Sequence, residues 1–171
     1  MSKRILGFSL ICFFVDIVSK IFVNNVISLN KSVEVIKSFF YLTNVHNSGA
    51  AWSILDGKRF LLVVIGILGL YVVSKLWASF KSNFRNDLAI SLLYGGICGN
   101  LFDRVVYGFV RDFLDFNIFG YNFPVFNLAD SFIFIGVCLL VYASFKGEDL
   151  SGRFKQSPYL RLFVFSFVLN T

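Results

Sequence analysis

Four stretches of this chain are each long and apolar enough to cross a lipid bilayer as a helix. They are "ILGFSLICFFVDIVSKIFV" (residues 5–23), "FLLVVIGILGLYVVSKLW" (60–77), "LAISLLYGGICGNLFDRVVY" (88–107) and "LADSFIFIGVCLLVYASF" (128–145). A hydrocarbon core about 30 Å thick needs about 20 helical residues, and each stretch meets that length. The composition agrees: 57% of the residues are hydrophobic and only 15% charged, too few charges to cover a water-soluble surface. The fold expected is an all-α membrane bundle of four transmembrane helices. The net charge of +6 would suggest nucleic acid in a water-soluble protein. Here it is read as Lys and Arg gathered at the cytoplasmic ends of spans, and no nucleic-acid partner is expected.

Four crossings place both termini on one side. Nine Lys and Arg fall on the terminal side and five on the other: Lys31, Lys37, Lys58, Arg59 and Arg111. The positive-inside rule therefore puts both termini in the cytoplasm, with Lys58 and Arg59 against the trend. The first apolar run follows a basic start, as in a secretory signal. No small-residue cleavage site follows it, and it continues through Asp16 and Lys20, so it is read as a retained helix. Ile11 before Cys12 is too bulky for a lipidation signal. Cys12, Cys98 and Cys138 lie in apolar runs at no metal-ligand spacing and are read as small buried hydrophobes; neither metal nor cofactor is expected.

Two segments then lie outside, residues 24–59 and 108–127. The first contains "SVEVIKSFFYLTNVHNSGAAWSIL", whose β-branched and aromatic residues predict short strands. The tail from residue 147 includes "LRLFVFSFVL", too short to cross, and is read as cytoplasmic or interfacial.

Polar residues inside the spans are the informative exception. At about 1.5 Å per residue from the inner face, Asp16 lies about 16 Å deep and Lys20 about 22 Å. On the third span Asn100 lies about 18 Å deep, and Asp103 and Arg104 about 22–24 Å. Asn127 and Asp130 occupy the first turn of the fourth span, which descends from outside, and Asp112 and Asp115 follow the third. Three helices thus carry polar groups to the outer half of the bilayer, while the second carries almost none. Four unpaired charges there would cost on the order of 10 kcal/mol, so they must pair inside the bundle. Asp16 and Lys20 are i,i+4 on one helix; Asp103 and Arg104 point apart and need partners on other helices. Gly95 and Gly99 form a GxxxG surface for close helix approach. Two readings stand side by side: interhelical staples, with Asp130 a helix cap and Asp112 a solvated loop residue, or a functional polar site. Transport is disfavoured because the inner halves of the spans lack charge. A membrane chaperone or assembly subunit is a further alternative.

Five pieces, in order, carry a resemblance: "DIVSK" (16–20), "NVHNSGAAWS" (44–53), "GGICGNLFDR" (95–104), "VRDFLDF" (110–116) and "FNLADS" (126–131). In these the chain resembles the bacterial lipoprotein signal peptidases, the type II signal peptidases, over about residues 3–146. The resemblance implies one membrane-embedded peptidase domain over residues 1–146, with residues 147–171 a tail outside it. It implies four helices with a small extracytoplasmic β-rich cradle, in a multi-pass protein of the bacterial cytoplasmic (inner) membrane. It also implies an aspartyl peptidase, needing no cofactor, that cuts a prolipoprotein before its diacylglyceryl-modified cysteine. Its partners would be that substrate and membrane lipid, with the chain acting as a monomer. The family's catalytic pair falls on Asp112 and Asp130. Its supporting positions fall on Asp16, Lys20, Asn47, Gly49, Asn100, Asp103, Arg104, Asn127 and Ala129.

Overall fold

The structure, a computed structural model, describes residues 2–49 and 55–148. In chain order its elements are α1 (Lys3–Val26), β1 (Ser32–Ile36), β2 (Phe40–Asn47), α2 (Arg59–Ser79), α3 (Phe84–Val106), β3 (Val110–Ile118), β4 (Tyr121–Asn122) and α4 (Leu128–Phe145). The helices follow the four apolar runs, and side-chain caps set the starts of three of them, α1, α3 and α4. Ser2 accepts a hydrogen bond from the Ile5 amide at the head of α1, and Asn83 accepts one from the Asn86 amide at the head of α3. Asn127 and Asp130 cap α4 reciprocally, each side chain accepting from the other residue's backbone N–H.

Three helices, α1, α2 and α4, are long and apolar enough to cross a membrane. The third expected span forms as α3, but Arg85, Asp87, Asp103 and Arg104 make it too polar to qualify by that measure. It sits at the centre instead, packed against α1, α2 and α4. The main core joins Ile5 of α1, Val73 of α2, Ile90, Leu93 and Ile97 of α3, and Ile133, Val137 and Leu140 of α4. Small residues let the backbones close in. A Cβ on Gly95 would strike the Cys12 side chain, and one on Gly99 the Asp16 carboxylate. The GxxxG face is therefore the α1 contact. Gly96, which the spacing did not single out, performs the same service toward α4: a Cβ there would lie 2.5 Å from the Ala129 carbonyl oxygen.

The apolar residues left over point outward. Ile11, Phe14, Val18 and Phe22 on α1, and Phe60, Ile67, Leu68 and Tyr71 on α2, are exposed, as helices solvated by lipid require. Of the three cysteines only Cys12 is buried. Cys98 is half-buried and Cys138 lies exposed on α4, so the expectation that all three are buried holds for one.

The strands expected between α1 and α2 form β1 and β2, and the segment after α3 adds β3 and β4. Together they make a four-stranded antiparallel sheet in the order β1-β2-β3-β4. Its central pair sets Val45 opposite Asp112 and His46 opposite Arg111. A second small core of Val23, Ile27 and Phe113, backed by Leu42, Leu114 and Leu128, seats the sheet on the ends of α1 and α4. At the opposite end of the bundle Glu148, just beyond α4, accepts hydrogen bonds from Arg85, Asn83 and Asn86 and ties that end of α4 to the start of α3. These donors hold its carboxyl down at about 2. The apolar tail segment and residues 50–54 of the "NVHNSGAAWS" motif lie outside the described residues.

Candidate active site

Asp112 and Asp130 come from different elements. β3 carries Asp112 inward at 3% exposure, which removes the solvated-loop reading. Asp130 sits one turn into α4 as the third residue after the Asn127 cap, so the capping role is real, and it uses only one carboxylate oxygen. Asn127 joins the two. Its side-chain amide donates to Asp112 Oδ1 at 2.6 Å, and its backbone N–H donates to Asp130 Oδ2 at 3.2 Å. The other oxygens are also occupied: Asn47 donates to Asp112 Oδ2 at 2.9 Å, and Asn100 to Asp130 Oδ1 at 2.6 Å. Burial first, and then the Asp130 carboxylate beside it, push the Asp112 carboxyl up to about 7, against the pull of its two amide donors. Protons on two carboxyls that influence each other in this way belong to the pair and not to either residue.

Behind the carboxylates lies a layer of paired charge. Lys20 is fully buried and central to it. Its Nζ is 2.7 Å from Asp16 Oδ2, 3.4 Å from Asp103 Oδ2, and donates to Asn100 Oδ1 at 3.0 Å. Asn100 therefore stands between the lysine and Asp130, and also accepts from the Asn127 amide at 3.2 Å. Asp16 uses its second oxygen to accept from the Ala129 N–H at 2.9 Å, one of the amides that the start of α4 leaves without a helical partner. Asp103 and Arg104 do point apart. Asp103 takes Lys20 on α1 and a two-pronged Arg111 on β3, with Nη2 at 2.6 Å and Nε at 3.2 Å. Arg104 does not find a helix: it donates to the Gly49 carbonyl oxygen at 3.3 Å, in the loop after β2. Gly49 in turn donates its N–H to Asn47 Oδ1 at 2.9 Å, fixing the amide that holds Asp112. Among the described residues no cluster of His, Cys, Asp and Glu could hold a metal ion.

The model of the signal peptidase II family matches residues 8–146. The chain belongs to the signal peptidase II family. Among its relatives, a lipoprotein signal peptidase of Staphylococcus haemolyticus (strain JCSC1435) is 42% identical over 136 residues, 79% of this chain and 86% of that one. Another, of Staphylococcus carnosus (strain TM300), is 44% identical over 130 residues, 75% and 81% of the two chains. A solved bacterial membrane enzyme, determined by the in meso method at 2.3 Å, superposes with a TM-score of 0.75 at 39% identity, covering 83% of this chain and 87% of that one. This signal peptidase II family member is thus a multi-pass bacterial membrane protease.

All eleven residues singled out in the sequence lie in one connected network. Two arginines escaped the reading. Arg111 looks like an outside charge in sequence, yet it is buried at 6% exposure, clamped to Asp103 and lying 4.6 Å above the Tyr107 ring. Its position beside Asp112 in a strand, pointing to the opposite face, was the available signal. Arg59, one of the charges against the positive-inside trend, donates to the Arg104 and Val105 carbonyl oxygens at 2.8 and 2.6 Å. It caps the C-terminus of α3, where a cation is favoured.

Proposed function

We propose that this family member removes signal peptides from prolipoproteins as an aspartic-type endopeptidase. It cuts before the diacylglyceryl-modified cysteine, with Asp112 and Asp130 as its catalytic pair. One observation carries the reading: two carboxylates from separate elements, Asp112 buried and Asp130 half-buried, are each hydrogen-bonded to the same residue, Asn127. The ionised member takes a proton from water as the water oxygen attacks the scissile carbonyl. The protonated member hydrogen-bonds to the carbonyl oxygen and protonates it; proton return then releases the new amine. The shared proton belongs to the pair, and no cofactor or metal is required. Asn100 and Asn127 orient the carboxylates, Asn47 and Gly49 fix the sheet side, and Asp16, Lys20, Asp103 and Arg104 hold the supporting elements. Ala129 serves through its backbone.

In this reading α3 is the fourth span, its polar face covered by α1 and α4. Both termini are then cytoplasmic, and the carboxylates and sheet lie near the extracytoplasmic face. There the substrate's acyl chains stay in lipid while its peptide bond reaches the pair. Both carboxylates and their partners come from one chain, which favours a monomer. The test is incubation of the purified protein with lipidated and unlipidated forms of one precursor. Cleavage of the diacylated form alone is expected. Equal cleavage of the unlipidated form, or full activity in Asp130→Asn, overturns the proposal.

A further inference from the structure

Asp112 faces two ways. Its Oδ1 accepts from Asn127 on the helix side, while its Oδ2 accepts from Asn47 on the sheet side. On the sheet side it forms part of the wall of a cavity of about 510 Å3, together with Asn47, Ser48, Asp56, Tyr121 and Asn122. That size suits a short run of peptide. Resting on the function proposed above, the two ends of the substrate must part at the carboxylates. The apolar signal peptide belongs against the helices and lipid, so the cavity receives the residues that follow the modified cysteine.

The charge of that wall is one-sided. Asp56 brings a carboxylate, and no Lys or Arg lines it among the described residues. The one imidazole on the wall, His46, is held below its ordinary value by burial and then by Arg111, which favours its neutral form. Asp56 is also anchored: Ser48 Oγ donates to its Oδ1, and Ser48 follows Asn47, the residue that holds Asp112. We infer that Asp56 is a specificity-determining residue, favouring prolipoproteins with Lys or Arg in the first positions after the modified cysteine and disfavouring Asp or Glu there.

The test uses full-length protein and diacylated precursor peptides differing only at the second residue after the cysteine, as Lys, Gln or Asp. At low ionic strength kcat/KM should fall in that order, with about two- to fivefold per step, the range of an exposed ion pair. Added salt should compress the series. Asp56→Asn should flatten it, and Asp56→Lys should invert it. Equal rates for the three peptides in the wild type, with Asp112→Asn inactive, would overturn this inference and leave the proposed function standing. Cleavage by Asp112→Asn would overturn the proposed function itself. Should an Asp56 variant fail to fold, the wild-type series with and without salt decides the matter.

Discussion

α2 and α3 adjoin in sequence, span 21 and 23 residues, and differ most in what they bury. α2 has the highest mean hydropathy of the three apolar helices, 2.2, yet buries only Leu62, Gly69 and Val73. α3 falls short of that apolar measure and buries thirteen residues, among them Asn100 and Asp103. In a bilayer apolarity turns outward, because lipid solvates Leu and Phe as well as a protein core does. Polar side chains must instead be shielded by neighbouring helices. The segment that reads least like a membrane span is therefore the one the others surround, and it supports the candidate site.

That contrast can be broken by mutation. The largest effect is expected at the carboxylates that α3 and α4 hold. Asp112→Asn or Asp130→Asn should lower kcat by about 10²–10⁴-fold, with the helical circular dichroism retained. Retained activity in either would falsify the catalytic assignment. Next comes the buried charge layer: Lys20→Met leaves Asp16 and Asp103 without their shared cation and should cost about 3–5 kcal/mol of stability, read by thermal unfolding in detergent. Leu68→Ala on the lipid face of α2 should cost within about 0.5 kcal/mol. A loss at Leu68 matching that at Lys20 would erase the contrast.

Backbone contact gives a finer comparison. Gly96→Ala pushes a methyl against the Ala129 backbone of α4 and should destabilise by about 1–3 kcal/mol. Gly66→Ala on α2 meets only the flexible end of Leu101, at 3.1 Å, and should stay within about 0.5 kcal/mol. A further comparison is on pH. The Asp112 carboxyl is raised in the folded protein, so its stabilising contribution is complete below the ordinary carboxyl range and is lost as pH rises through about 7. The melting temperature should therefore fall between pH 5 and 8 by more in the wild type than in Asp112→Asn. An equal or smaller fall in the wild type would show that the carboxyl is not raised.

The four helices, the strand-forming segment and the polar layer were legible because each leaves a mark along the chain. Apolar runs have a length, strands a residue preference, and intramembrane charges a depth. The Asn100, Asp103 and Arg104 face followed from i, i+3, i+4 spacing. Arg111 and Arg59 were not legible. A charged residue outside a span reads as solvated unless the opposite charge that buries it is known, and Asp103 reaches Arg111 only because β3 folds back on the end of α3.

The sequence by itself determined which residues needed shielding and on which turns of which helices they sit, since hydropathy and helical rise are local properties. The tertiary structure alone decided who shields whom. It set Lys20 between Asp16, Asp103 and Asn100, set Asn127 between Asp112 and Asp130, and turned Arg104 to a loop carbonyl. Partnerships of this kind depend on close helix approach at Gly95, Gly96 and Gly99 and on strand register, which bring together atoms that the chain itself holds far apart.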